Sequence, residues 1–196
     1  MPVSLYSDIN VDAIHFANPT KNSKGSTQIN VQLNETSDAK VKFQLVAEGE
    51  GRCQIVFGIK TFDDTETNRK NLDFSMHSTG AIEFIQRLDE HIIKTATERS
   101  ESWFRKKLSE ADIRALYKPI IAFDTSGKGY SPLVHSKVNI GAEEKNALKV
   151  TKDVCVKGKH YYAPGTDALI DAKNNRFRDF TAVPIMSLGA IWTQPR

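Results

Sequence analysis

Hydrophobic positions alternate with polar ones over the first third of the chain, recur at steps of three and four in the middle, and alternate again towards the end. Gln28–Leu33 sets Ile29, Val31 and Leu33 against polar neighbours, Val41–Ala47 does the same with Val41, Phe43 and Leu45, and Cys53–Ile59 places Cys53, Ile55, Phe57 and Ile59 on one side. A period of two marks a strand with one face buried. The linkers NETSDA and EGEG suit hairpin connections, so these three strands are expected to form one antiparallel meander. A shorter strand is expected near Leu72–Met76.

The period then changes. Ala81, Ile82, Phe84, Ile85, Leu88, Ile92 and Ile93 predict an amphipathic helix over Thr79–Glu98. A second helix is expected to start at Ser109, with Asp112 three residues on in a capping-box position, and to stop before Pro119. Strand signals return at Ile120–Phe123, Leu133–Ile140, Leu148–Val156 and Val183–Trp192. Strands, a helical stretch and strands again, without βαβ alternation, predict a mainly β (α+β) protein. The expected form is an antiparallel OB-like barrel with a helical insertion, about residues 79–118, between two groups of strands. Residues 1–25 read as a flexible, turn-rich lead-in ending in NPTKNSKGS, and residues 26–196 as a single domain.

Composition narrows the function classes. The 196 residues hold 39% hydrophobic and 9% aromatic residues, enough for a folded core, and no apolar run approaches the roughly 20 residues of a membrane span. The N-terminal MPVSLYSDINVDAIHF lacks a basic flank and a continuous apolar stretch, which leads to the expectation of an intracellular protein. Cys53 and Cys155 stand far apart, outside any CxxC or Cys/His spacing, and are expected to be reduced thiols. The histidines His15, His77, His91, His135 and His160 fall in no ligand spacing, and His91 reads as a solvated edge residue of its helix. GxSxG, P-loop and GxGxxG motifs are all missing. The chain is therefore read as non-enzymatic, with no cofactor and no metal.

What remains is a set of cations interleaved with aromatic rings. The net charge is only +3, but Lys145, Lys149, Lys152, Lys157 and Lys159 face a single acid, Asp153, over fifteen positions. Arg105, Lys106 and Lys107 follow Trp103 and Phe104. Lys157, Lys159, Tyr161 and Tyr162 form a second cluster, Arg176 and Arg178 flank Phe177, and Lys128 with Tyr130 form a fourth. Cations meet phosphates and exposed rings stack on unpaired bases, each stack worth about 1–3 kcal/mol with little base preference. Trp103 and Phe104 read better as core anchors at the helix junction, leaving charge rather than stacking to their neighbours.

The segments SESWFRKKLSEADIRALYKPII, SPLVHSKVNI, DALIDA and AVPIMSLGAIW, in that order, resemble the single-stranded DNA-binding proteins of nucleocytoplasmic large DNA viruses of algae and protists. The matching positions are Ser100–Lys106, Lys118–Pro119, Pro132–Val138 and Leu188–Trp192. That family is similar to the replication single-stranded DNA-binding protein of short-tailed phages, an OB fold. The resemblance implies binding of single-stranded DNA with little sequence specificity during viral replication, recombination or repair. It also implies replication proteins as partners, no membrane, and a location in the host cytoplasm or nucleus; self-association is left open. The chain departs from the pattern after Trp192, where Thr193 to Arg196 stand in place of a further segment and an acidic tail. The alternative is a structural or assembly protein of a virion, acting through protein contacts.

Overall fold

The computed structural model describes residues 3–21, 26–35, 37–60, 69–139, 155–156, 159–160 and 180–193. The strands in chain order are β1 Ser4–Leu5, β2 His15–Phe16, β3 Thr20–Lys21, β4 Thr27–Asn34, β5 Ser37–Lys40, β6 Lys42–Gln44, β7 Cys53–Lys60 and β8 Arg69–Ser75. Three helices follow, α1 Thr79–Glu98, α2 Ser100–Phe104 and α3 Glu110–Leu116. The remaining strands are β9 Ile121–Ala122, β10 Leu133–Asn139, β11 Cys155–Val156, β12 Lys159–His160, β13 Phe180–Ala182, β14 Ile185–Ser187 and β15 Ala190–Thr193. The protein is mainly β with a helical stretch between two groups of strands. The described strands do not close into a barrel.

The chain divides into two units. The first comprises Met1–Glu50, Ser78–Pro119 and Pro184–Arg196; the second comprises Gly51–His77 and Ile120–Val183.

In the first unit β4 is the central strand. On one side it pairs with β2 and β3; on the other, β5 covers Gln32 to Asn34 and β15 covers Thr27 to Asn30. The strand opposite β4 is thus assembled from two distant pieces of chain. Between those pieces β6 and β14 leave as an antiparallel pair, with β1 added in parallel on the other side of β6. The corner is closed by Leu188 N–H donating to the Val41 carbonyl and Val31 N–H to that of Gly189.

The expected meander is therefore corrected: β4, β6 and β7 lie in three different sheets. The hairpin partner of β4 is β5, and both edges of β6 are taken by β14 and β1. The expected strand over Val183–Trp192 is likewise two strands, bent at Leu188 and Gly189 so that each half serves a different sheet.

Helix α1 spans the residues its periodicity predicts. Ser78 caps it by accepting from the Ala81 amide at 3.2 Å, and Ala81, Phe84, Ile85, Leu88, Ile92, Ile93 and Ala96 are buried. Phe84 meets Phe43 edge-on at 5.0 Å and Tyr6 at 5.8 Å. Tyr6, Val11, Ile14 and Phe16, within the segment read as a polar lead-in, are buried as well. They sit in two short 3-10 turns and β2, whose spacing matches neither sequence period. His91 is not a solvated edge residue: its Nε2 donates to the Ile14 carbonyl at 3.1 Å, and its ring lies 5.3 Å from that of Phe16.

The second unit is an antiparallel sheet in the order β13-β7-β8-β10-β9, with β11 and β12 forming a separate hairpin. Leu72, Phe74, Cys53, Ile55 and Val134 are buried, and the Cys53 sulfur lies 3.6 Å from that of Met76. Asp73, also buried, accepts from His135 Nδ1 at 3.1 Å on the neighbouring strand. Phe57 departs from its alternating pattern. The register passes from Ile55 opposite Phe74 to Ile59 opposite Leu72, four steps against two, and Gly58 takes a positive φ of 65° inside the bulge. Phe57 is 45% exposed as a result.

Candidate nucleic-acid interface

Trp103 and Leu108 fix the position of the cations between them. Trp103 lies on α2, a one-turn helix that the basic character of its surroundings conceals in the sequence. It is 3% exposed and meets Phe16 at 5.8 Å in an edge-on contact. Leu108 is buried too, and its amide donates to the Oγ of buried Ser100 at 3.2 Å. With both ends tied to the core, Arg105, Lys106 and Lys107 are held in a short exposed turn. Trp103 is an anchor rather than a stacking platform, and Phe104 is half-buried against it.

The turn is closed on its far side by α3. Ser109 caps this helix, accepting from the Asp112 amide at 3.2 Å while the Asp112 carboxylate accepts from the Ser109 amide at 2.9 Å. The Ser109 hydroxyl and amide hold the Asp112 carboxyl below the usual aspartate range. Arg114 then clamps α3 to α1 through Glu90 and to its own first turn through Glu110. Tyr117, just beyond α3, donates to buried Asp89 at 2.5 Å; burial first, then the Asp89 charge, pushes its phenol far up.

Three arginines of this unit have partners within the fold. Arg87 pairs with Asp12, Arg99 donates to the Phe16 carbonyl, and Arg114 holds two glutamates. Arg105, Lys106 and Lys107 form no ion pair among the described residues. Arg105 also has φ 56° and ψ 26°, the one non-glycine residue at positive φ among the described residues. Helices commonly end with a left-handed residue, and glycine is the usual choice because any other residue costs about 1 kcal/mol or more there.

Beside Arg105 lies an open pocket of about 250 Å³. The α2 end supplies Ser102, Trp103 and Arg105; the strands supply Thr20, Lys21 and Thr27, with Pro19 at the rim. Lys21 and Thr27 are register partners across β3 and β4, which places their side chains on one face. Thr20 and Lys21 were hidden from sequence reasoning inside the turn-rich NPTKNSKGS.

Lys128 and Tyr130 belong to the second unit, on the turn Asp124–Tyr130. The Asp124 carboxylate accepts from the Ser126 hydroxyl and amide and from the Tyr130 amide, and these bonds pull its pKa down to about 2. Gly127 and Gly129 take φ 73° and 72° in that turn, and Tyr130 is 66% exposed. The structure thus brings Arg105, Lys106 and Lys107 together on one turn and Lys128 and Tyr130 together on another. Lys159 lies in the short hairpin strand β12. Lys157, Tyr161, Tyr162, Arg176 and Arg178 lie outside the described residues, as does the side chain of Lys159.

Among the described residues no three His, Cys, Asp or Glu side chains form a group able to hold a metal, and no helix is long and apolar enough to cross a membrane. A family model described as a family of unknown function (DUF5871) matches residues 58–127, a stretch that contains all three helices and the Arg105–Lys107 turn. No curated protein and no solved structure matches the chain.

Proposed function

We propose that this protein binds single-stranded DNA with little sequence preference, through its backbone phosphates, and that it is not an enzyme. The observation that carries this reading is the run Arg105, Lys106 and Lys107. It is held in an exposed turn by two buried neighbours and makes no ion pair among the described residues, with only the charge of Asp112 acting on Lys106, whereas Arg87 and Arg114 in the same unit are paired. An exposed cation outside any contact ion pair keeps its donors for a phosphate. Lys128 and exposed Tyr130 on the second unit, with Lys157, Lys159, Tyr161, Tyr162, Arg176 and Arg178, are proposed as contacts to the strand in their own right. Ring stacking is supplied there rather than by Trp103.

The likeness to single-stranded DNA-binding proteins of large DNA viruses, with a role in viral replication, replication proteins as partners and a location in the infected cell, belongs to the same proposal. So does an OB-like barrel. It is supported by the two bent strand paths, β5–β6 and β14–β15, which pair with each other and with β4. The experiment is a titration of the full chain with fluorescently labelled oligo-dT and with a duplex of equal length. Binding of the single strand with marked preference supports the reading, and no binding at low salt refutes it.

One observation favours a second reading, a structural or assembly role through protein contacts. Phe57, Phe123, Tyr130 and Val183, all in the second unit, are each more than 40% exposed. Light scattering after size exclusion decides this: large assemblies formed without nucleic acid support it, and a monodisperse small species refutes it.

A further inference from the structure

The pocket beside α2 has a composition that a generic surface does not require. Among the described residues its lining holds two cations, Lys21 and Arg105, three hydroxyls, Thr20, Thr27 and Ser102, and no acid. Among the described residues Lys21, Thr27, Ser102 and Arg105 have no side-chain hydrogen-bond or ion-pair partner, and the Thr20 hydroxyl makes only a long 3.5 Å contact to the Gln28 carbonyl. Lys21 and Thr27 on one face of the β3–β4 pair, with Ser102 and Arg105 across the pocket, offer hydroxyl and cationic donors without an acid, a set that matches a tetrahedral oxyanion. Arginine and lysine supply charge-assisted bonds, and serine and threonine donate to the remaining oxygens. Trp103 closes the floor as a buried ring and offers no base-stacking face.

The backbone of Arg105 bears on the same place. Its left-handed conformation is one that glycine adopts without strain, yet the chain places an arginine there, at the rim of the pocket. As the left-handed end of α2, Arg105 stands at the rim of a pocket whose exposed donors are open to a ligand. About 250 Å³ lies below the range of pockets that enclose a drug-sized molecule, so the space suits a phosphate with part of its sugar and leaves the base outside.

We infer that Lys21, Thr27, Ser102 and Arg105, with Thr20 at the edge, form a seat for one phosphate group of a nucleotide or nucleic-acid strand, held without regard to the base. Arg105 is shared with the single-strand reading, so the test must separate the two. Amide shifts of the full-length protein are followed during titration with inorganic phosphate, thymidine 5′-monophosphate, thymidine and oligo-dT. The seat predicts saturable shifts at Thr20, Lys21, Thr27 and Ser102 with thymidine 5′-monophosphate and none with thymidine. Adenosine and thymidine monophosphates should bind within about twofold of each other. Lys21→Ala and Arg105→Gly should each weaken the monophosphate at least tenfold, while Arg105→Gly, freed of strain, keeps or raises the melting temperature.

If inorganic phosphate saturates the same amides as tightly as the monophosphate, the seat stands and its ligand is free phosphate. If the monophosphate binds there and oligo-dT does not bind at all, the seat stands and the single-strand reading fails. If oligo-dT binds without moving the four pocket amides, or Arg105→Gly binds the monophosphate like the wild type, the seat is overturned while the single-strand reading survives.

Discussion

Replacing Gly80 by alanine should destabilise this protein, although the same change inside a helix ordinarily stabilises by about 0.5–1 kcal/mol. Gly80 is the second residue of α1, and a Cβ built on it would stand 2.6 Å from the Tyr6 hydroxyl oxygen. That oxygen has little freedom. Tyr6 is 8% exposed, its ring leans on Phe84 at 5.8 Å, and its hydroxyl donates to Glu50 Oε1 at 2.7 Å. Glu50 also accepts from Ser78 at 2.8 Å and from the Ala47 amide at 2.7 Å. Pushing the hydroxyl aside removes one hydrogen bond to a carboxylate, worth about 1.5–3 kcal/mol, which outweighs the helix-propensity gain. The expected net loss is about 1–2 kcal/mol. Removing the hydroxyl first reverses the sign, because the ring carbons stand at 3.5 and 3.6 Å, an ordinary contact. In a Tyr6→Phe background Gly80→Ala should therefore stabilise by up to about 1 kcal/mol, giving a coupling of about 2 kcal/mol. Urea denaturation of the four proteins measures it. A coupling near zero, with alanine equally favourable in both backgrounds, would refute the reasoning. The pH dependence supplies a sign. Burial alone would raise the Glu50 pKa, but the Ala47, Tyr6 and Ser78 donors together lower it. The bonds to Glu50 thus stabilise fully above the ordinary glutamate pKa and are lost as pH falls through the lowered one, so the cost of Tyr6→Phe should shrink in acid.

Three further outcomes are expected. Ser109→Ala removes the cap of α3 and should cost about 1 kcal/mol, read as a fall of about 2–4 °C in melting temperature; no change would contradict the capping box. Asp124 should remain ionised at pH 3 in a carboxyl NMR titration, since Ser126 and Tyr130 hold its pKa at about 2. Because the folded pKa is depressed, the turn's contribution is present above the ordinary aspartate value and lost as pH approaches 2; titration near 4 would show that the turn does not hold the carboxylate. Trp103→Ala should cost about 3–5 kcal/mol in denaturant unfolding, as loss of a buried anchor, whereas loss of DNA affinity without loss of stability would make Trp103 a stacking residue instead.

Local patterns in the sequence carried local structure. The three- and four-residue recurrence from Ala81 to Ile93 located α1, and Ser109 with Asp112 located the start of α3, because both depend on neighbours within one turn. Pairing between distant segments was not legible. Nothing near Val41 announces that its strand leaves β4 to pair with Ile185–Ser187, or that Ala190–Thr193 completes the partner of β4 from the other end of the chain. Phe57 was misplaced because a bulge at a positive-φ glycine breaks the alternation that the residues themselves display. Of the candidate site, the Arg105–Lys107 turn was readable from charge beside buried-type residues. Thr20 and Lys21 were not, since only the β3–β4 pairing brings them to α2.

The central claim, that the cations of the α2–α3 turn grip single-strand phosphates, is tested most directly by the salt dependence of oligo-dT affinity in the wild type and in Lys106→Ala/Lys107→Ala. Each phosphate contact contributes about 0.7 to the slope of log K against log salt for a single strand. The double variant should lose about 1.4 from that slope and bind more weakly at low salt, with its melting temperature little changed because both side chains are exposed and make no contact ion pair among the described residues. An unchanged slope, or no binding of oligo-dT by the wild type, would contradict the account.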